Sequence, residues 1–166
     1  AIAIGDGSGY CGQGIQAIAM GVQSGNIQQG NQTVAIGYRS GNQLQSANAI
    51  AIGNSAGYYS QYVNTIAIGT QAGQCGQNSY AISVGYQTGA CGQGNYSVAM
   101  GYQAGNYGQS DNSVAIGYLS GTTGQKTAAV AIGYTSGQYG QGQNSVAVGN
   151  AAGNTAQSSG AVAIGY

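Results

Sequence analysis

The residues that could do chemistry are few, and each lacks the company its chemistry needs. Gly53-Asn54-Ser55-Ala56-Gly57 has the form G-x-S-x-G, in which a serine on a sharp strand-to-helix turn acts as nucleophile. Such a serine needs a base to take its proton, and the chain contains no His. Gly7 to Gly12 spells G-x-G-x-x-G, the dinucleotide fingerprint. With 33 Gly among 166 residues the match is nearly expected, and no helical pattern follows it. Gly121 to Thr127 lacks the Gly-Lys order of a phosphate loop. A calcium-binding β-roll needs repeated Asp, and only Asp6 and Asp111 exist. No catalytic, cofactor-binding or metal-binding residue is assigned, and no enzyme is expected.

Cys11, Cys75 and Cys91 recur at one phase, each followed by Gly-Gln. Cys75 and Cys91 lie sixteen residues apart. In coils stacked at the sheet spacing of about 4.8 Å their Cα atoms fall within the disulfide window. The alternative is that all three cysteines fill a column shared with Ile27, Tyr59, Tyr107 and Tyr139. Cys11 has no such neighbour and could cross-link chains. Zinc would lack a fourth ligand. Two N-x-S/T sequons, at Asn31 and Asn95, also share a phase and are candidate glycosylation sites if the source glycosylates secreted proteins.

Equal phase is the rule along the whole chain, and repeats govern the reading. Gly5, Gly21, Gly37, Gly53, Gly69, Gly85, Gly101, Gly117, Gly133 and Gly149 stand every sixteenth residue, with Gly165 continuing the series. A second Gly follows each of the ten four residues later. Gln13, Gln29, Gln45, Gln61, Gln77, Gln93, Gln109, Gln125, Gln141 and Gln157 keep the same period. Before each first Gly stands a triplet of Ile/Val, Ala and Ile/Val/Met, with Ser83 as the single exception at its centre.

Sixteen residues are too few for helical repeats of about 33 or more, and two glycines per unit would burden any helix. One circuit of a parallel β-solenoid fits: a short strand, a glycine turn, a second extended segment and a return. The prediction is an all-β chain, residues 1–166 forming one uncapped solenoid domain of about ten coils, roughly 50 Å long at the sheet spacing. The first Gly of each coil then takes positive φ or admits the neighbouring coil. The Gln column is expected to form a partly buried carboxamide ladder along the axis. Within the triplet, alternation puts the branched pair on one face and Ala on the other. The branched pair is expected to be buried, leaving the Ala column outside, either as a flat strip for a neighbour or as an ordinary exposed strand face. Tyr38, Tyr86, Tyr102, Tyr118, Tyr134 and Tyr166, one residue after the first Gly, are expected to project outward.

Composition excludes several classes. Only Asp6, Arg39, Asp111 and Lys126 carry side-chain charge, too little base for a nucleic-acid track and too little repulsion to oppose association. No apolar run approaches the roughly 18 residues of a membrane span. Pro is absent and glycine has no three-residue period, so collagen is excluded. The chain opens on Ala1 without a leader pattern and reads as a mature or excised segment.

The phrases NSVAIGYLSG from Asn112, NSVAVGNAAG from Asn144 and NTIAIGTQAG from Asn64 carry a resemblance. The chain resembles, over its whole length, the head repeats of YadA-like trimeric autotransporter adhesins, and is similar to repeat proteins of phage and giant-virus fibres. The resemblance implies a left-handed parallel β-roll, a trimer, display at the cell or virion surface, and attachment. Read from the residues, both ends of the chain run in phase without a cap, and bare edges recruit further chains. The expected function is a non-enzymatic structural protein forming an extracellular filament or surface fibre by axial stacking. Its partners would be further copies, end to end, laterally or as trimers. The alternatives are an adhesin head binding glycan or matrix protein, and an ice-binding solenoid using the Ala/Ser/Thr column beside the triplet.

Overall fold

The structure, a computed structural model describing residues 1–166, contains strands and turns and no helix. Each triplet is a strand, and the eleven of them, from Ile2–Ile4 to Val162–Ile164, form one parallel sheet in chain order. A second parallel sheet of seven strands runs from Cys11–Gln13 to Tyr107–Gln109. It continues toward the C-terminus as single bridges at Thr123, Tyr139 and Thr155. The register is sixteen residues throughout: Ala3 pairs with Ala19, Gln29 with Gln45, Cys75 with Cys91 and Ala147 with Ala163. The chain is therefore a parallel β-solenoid of about ten turns.

Backbone hydrogen bonds between successive coils bind the stack. Ile50 N–H donates to Thr65 O at 2.9 Å, Gly53 N–H to Ile36 O at 2.8 Å, and Tyr59 N–H to Gln74 O at 2.9 Å. Turns close because the chain turns left-handed at several fixed phases. The first Gly of each coil has φ near +125°, as at Gly21, and a Cβ there would meet the Gly37 carbonyl oxygen at 2.6 Å. Glycine is thus required twice over, for its dihedral and for the approach of the next coil. At the second Gly the obstacle is different: a Cβ on Gly25 would meet the Gln29 carboxamide at 2.7 Å. Two residues before the triplet strands the chain is also left-handed, at Gly160 in the last coil and at non-glycine residues from Gln16 to Asn144 in the others. Asn48, Asn64, Asn112 and Asn144 sit there at φ 56–59°, the conformation Asn tolerates best among side-chain-bearing residues.

The interior overturns one expectation. Every buried apolar residue is Ala, and no Ile, Val, Leu, Met or Tyr is buried. The central Ala of the triplet, as at Ala19, Ala35, Ala51 and Ala99, is fully enclosed, while its branched neighbours are half-buried or exposed. The Ala column is thus the lining of the lumen and not an outer strip. The reason is volume. Two strands and their turns closed in sixteen residues leave a narrow lumen. Ala, Ser, Thr and a flat carboxamide fill it, and a second branched side chain per rung would overpack it. The accessible surface, 7023 Å², is close to the roughly 7,500 Å² of a compact monomer of this mass, so the narrow coil is well sealed.

This inverted packing predicts an inverted mutational pattern. Ala99→Val adds volume beside Gly105 in a closed space and should cost about 1–3 kcal/mol. Val98→Ala, one residue earlier on the outer side, should cost the monomer less than about 1 kcal/mol. Urea unfolding at a concentration where the chain is monomeric measures both, and the reverse order would refute this packing.

Candidate functional site: the glutamine column and the outer faces

Chemistry in a repeat is displayed as columns, one side chain per coil. The innermost is the glutamine column. Eight of its ten members, Gln29 to Gln141, are buried, and the seven from Gln45 to Gln141 are almost wholly enclosed and the largest side chains inside. Every Nε2 of the ten donates to the backbone carbonyl eleven residues earlier, as Gln77 does to Ile66 O at 2.8 Å and Gln141 to Val130 O at 2.9 Å. That bond ties the second sheet to the first across the lumen. The second Nε2 hydrogen runs along the axis: Gln45 to Gln61 Oε1 at 3.0 Å, Gln61 to Gln77 at 3.1 Å and Gln77 to Gln93 at 2.9 Å. The axial ladder is interrupted between Gln13 and Gln29 and between Gln109 and Gln125, where Gln29 Oε1 and Gln125 Oε1 have no partner. The expected ladder is therefore present, and the transverse bond explains why the residue is Gln. Two donors and an acceptor are needed on one arm of this length; Glu offers no donor when ionised, and Asn is a methylene short.

Ser83, the exception within the triplets, joins this network. Its Oγ donates to Gln93 Oε1 at 2.6 Å and accepts from Gln77 Nε2 at 3.1 Å. The other lumen hydroxyls are mostly satisfied by a carbonyl three residues back, as Thr33 by Gly30 O at 3.0 Å and Ser97 by Gly94 O at 2.7 Å. These Ser/Thr columns, which an ice-binding reading needs on the surface, are enclosed. A second clip was not visible in the sequence reading. Asn26, Asn42, Asn106 and Asn154 each donate from Nδ2 to the carbonyl nineteen residues earlier, at 2.7–2.9 Å. The recurrence of Asn one residue after the second Gly was its available signal.

The remaining candidate residues lie on the outside. Ser55 of the G-x-S-x-G match is half-buried in a turn at φ 54°, its Oγ donating to Asn54 Oδ1 at 2.9 Å. Asn31 is exposed and Asn95 half-buried, but the sequon hydroxyls of Thr33 and Ser97 face the lumen. Asn31 Oδ1 accepts the Ile15 N–H at 2.9 Å, and Asn95 donates to Asp111 from both its backbone and its side chain. Cys75 and Cys91 are register partners and stand as two free thiols in contact. Burial first, then the hydrogen bond that the Cys91 thiol donates to Cys75 and the like charge of a neighbouring thiolate, push the Cys91 thiol up to about 12. Cys11 is exposed and pairs with Ile27, so the shared column is observed.

Two features dominate the outer surface. The first is the double column of branched residues from the eleven triplets. The second is a tyrosine ladder in which Tyr86, Tyr102, Tyr118 and Tyr134 stack at 5.0–5.1 Å between ring centroids and 5–12° between planes. All four are exposed as expected, yet their ring faces are turned toward one another, leaving edges and hydroxyls to solvent. Tyr38 stands apart, with the Arg39 guanidinium 5.1 Å from its ring centre.

Two outcomes test these columns. Gln77→Glu places a carboxylate against Gln93 Oε1 and Ile66 O, and should cost about 3–5 kcal/mol at neutral pH. Burial raises the pKa of that Glu above its unfolded value, so the loss should shrink as pH falls through the folded pKa and grow as pH rises; urea midpoints across pH 3–8 follow it. Alkylation near pH 8 should label Cys11 at least tenfold faster than Cys91, whose rate should climb with each pH unit toward 12; mass spectrometry reads both. Comparison with family models, with curated proteins and with solved structures finds no match to this chain.

Proposed function

We propose that this chain is a non-enzymatic structural rod, a segment of an extracellular filament or surface fibre, whose copies associate side by side through the branched face of the triplet sheet. The observation that carries the reading is the placement of the Ile and Val columns. Ile68, Met100 and Ile132 are 36–39% exposed, in the middle of the rod where no terminus is near. Twenty-two such side chains, two per strand, present on the order of 1,000 Å² of nearly unbroken apolar surface, well beyond the few hundred Å² of an ordinary monomer surface. That is also the area each partner contributes to a standard protein interface. A sequence with four charged side chains offers no repulsion against such contact.

A second copy is the natural cover, because its own face is equally flat, equally apolar and built on the same coil spacing. The resemblance to YadA-like heads favours three chains around one axis and display at a cell or virion surface. Axial order within each rod comes from the in-register sheets, and lateral association supplies the apolar burial that the lumen cannot.

Sedimentation of the wild type should give an oligomer at micromolar concentration, with rods or fibres in electron micrographs. Val114→Lys with Ile116→Lys, both on the outer side, should weaken association roughly a hundredfold or more and leave the β circular dichroism intact. A wild type that stays monomeric at every concentration would defeat the proposal.

A further inference from the structure

The tyrosine ladder has no part in the self-association just described, and its geometry points to a covalent use. We propose that Tyr86, Tyr102, Tyr118 and Tyr134, with the separate pair Tyr80 and Tyr96, are sites of oxidative dityrosine formation that staples neighbouring coils within one chain. The oxidant is a one-electron oxidant of the peroxidase class, with hydrogen peroxide as terminal acceptor.

Three observations carry this. The rings are held in pairs by the backbone: Tyr86 is the register partner of Tyr102, and Tyr102 of Tyr118, so no chain motion is needed to bring two phenols together. Neighbouring rings are already stacked, at 5.0–5.1 Å in the ladder and at 4.9 Å with a 5° tilt for Tyr80 and Tyr96. All six are exposed, from 42% at Tyr102 to 60% at Tyr96, so an oxidant can reach the phenols and the rings can tilt on the picosecond to nanosecond timescale. Between the stacked arrangement and the bond the rings have only to splay and bring two ortho carbons together. Radicals held as neighbours couple at the high effective concentration of an intramolecular reaction.

The step balances simply. Each phenol gives one electron to the oxidant and its hydroxyl proton to water, leaving two tyrosyl radicals. The radicals join through one ring carbon ortho to each oxygen, forming a single carbon–carbon bond. The hydrogen on each of those carbons then moves to the ring oxygen as aromaticity returns. Two electrons and two protons leave in total, and together they reduce one hydrogen peroxide to two waters. Each link closes a loop of sixteen residues, which constrains the unfolded chain as a disulfide of similar span would.

The test is oxidation by a heme peroxidase with hydrogen peroxide at dilute protein, followed by denaturing electrophoresis and peptide mapping. Expected are chains of unchanged size, each link lowering the mass by two hydrogens, with links mapped to Tyr86–Tyr102, Tyr102–Tyr118, Tyr118–Tyr134 and Tyr80–Tyr96. The thermal midpoint should rise by several degrees. Tyr102→Phe keeps a stacked ring without a phenol. It should abolish every link to Tyr86 while leaving the Tyr118–Tyr134 link. Tyr10→Phe, at a ring 81% exposed and outside any stack, should change nothing. Links mainly between chains, links scattered over tyrosines such as Tyr10 and Tyr62, or no dityrosine at all would overturn the assignment. None of these results depends on whether rods associate through the branched face, which sedimentation of the unoxidised protein measures separately.

Discussion

A narrow lumen is the constraint from which the other features descend. A coil of sixteen residues that pairs with its neighbours on two sides encloses space for Ala, Ser, Thr and one carboxamide per rung, and not for Ile or Val. Globular proteins of this size hide their Ile and Val and are held by that burial. Here the apolar gain inside is limited to methyl groups, and the backbone bonds between coils and the side-chain network within the lumen carry a correspondingly larger share. The price of that economy is a surface of branched residues.

Glutamine resolves the polar side of the same constraint. Polar groups buried in the lumen are costly unless hydrogen-bonded, so most of them are matched by protein atoms. The carboxamide does so in two directions at once, across the lumen to a backbone carbonyl of the facing sheet and along the axis to the next glutamine. The absent Cβ of the second glycine leaves the space in which the carboxamide lies. Column and glycine are thus one device, and the strictness of both periods follows from it.

The outside obeys different rules. Columns there vary from coil to coil, as Cys, Tyr, Ile, Gln and Thr alternate at the phase of Cys75. Where chance or selection places equal residues in succession, stacking turns them into ladders. Tyr86 to Tyr134 is one; Gln71, Gln87 and Gln103, joined by bonds of 2.6–2.7 Å, is another beside it. Such ladders confer properties, whether contact or oxidative coupling, that no single coil possesses.

The sequence alone determined the period, and through it the register, because a repeat of constant length leaves each residue one stacking partner. It determined the strands at the triplets, the turns at the glycines, the glutamine ladder and the outward tyrosines. It could not decide which side of the triplet is the inside. Alternation separates two faces, and the usual assignment of the apolar one to the core holds only when the core has room for it. The side chains at Ala99 and Val98 exchange roles because curvature and coil diameter, properties of the closed backbone, set the volume available. Likewise the contact of Cys75 with Cys91 followed from the spacing, while the raised pKa of the Cys91 thiol depended on burial that only the folded coil defines.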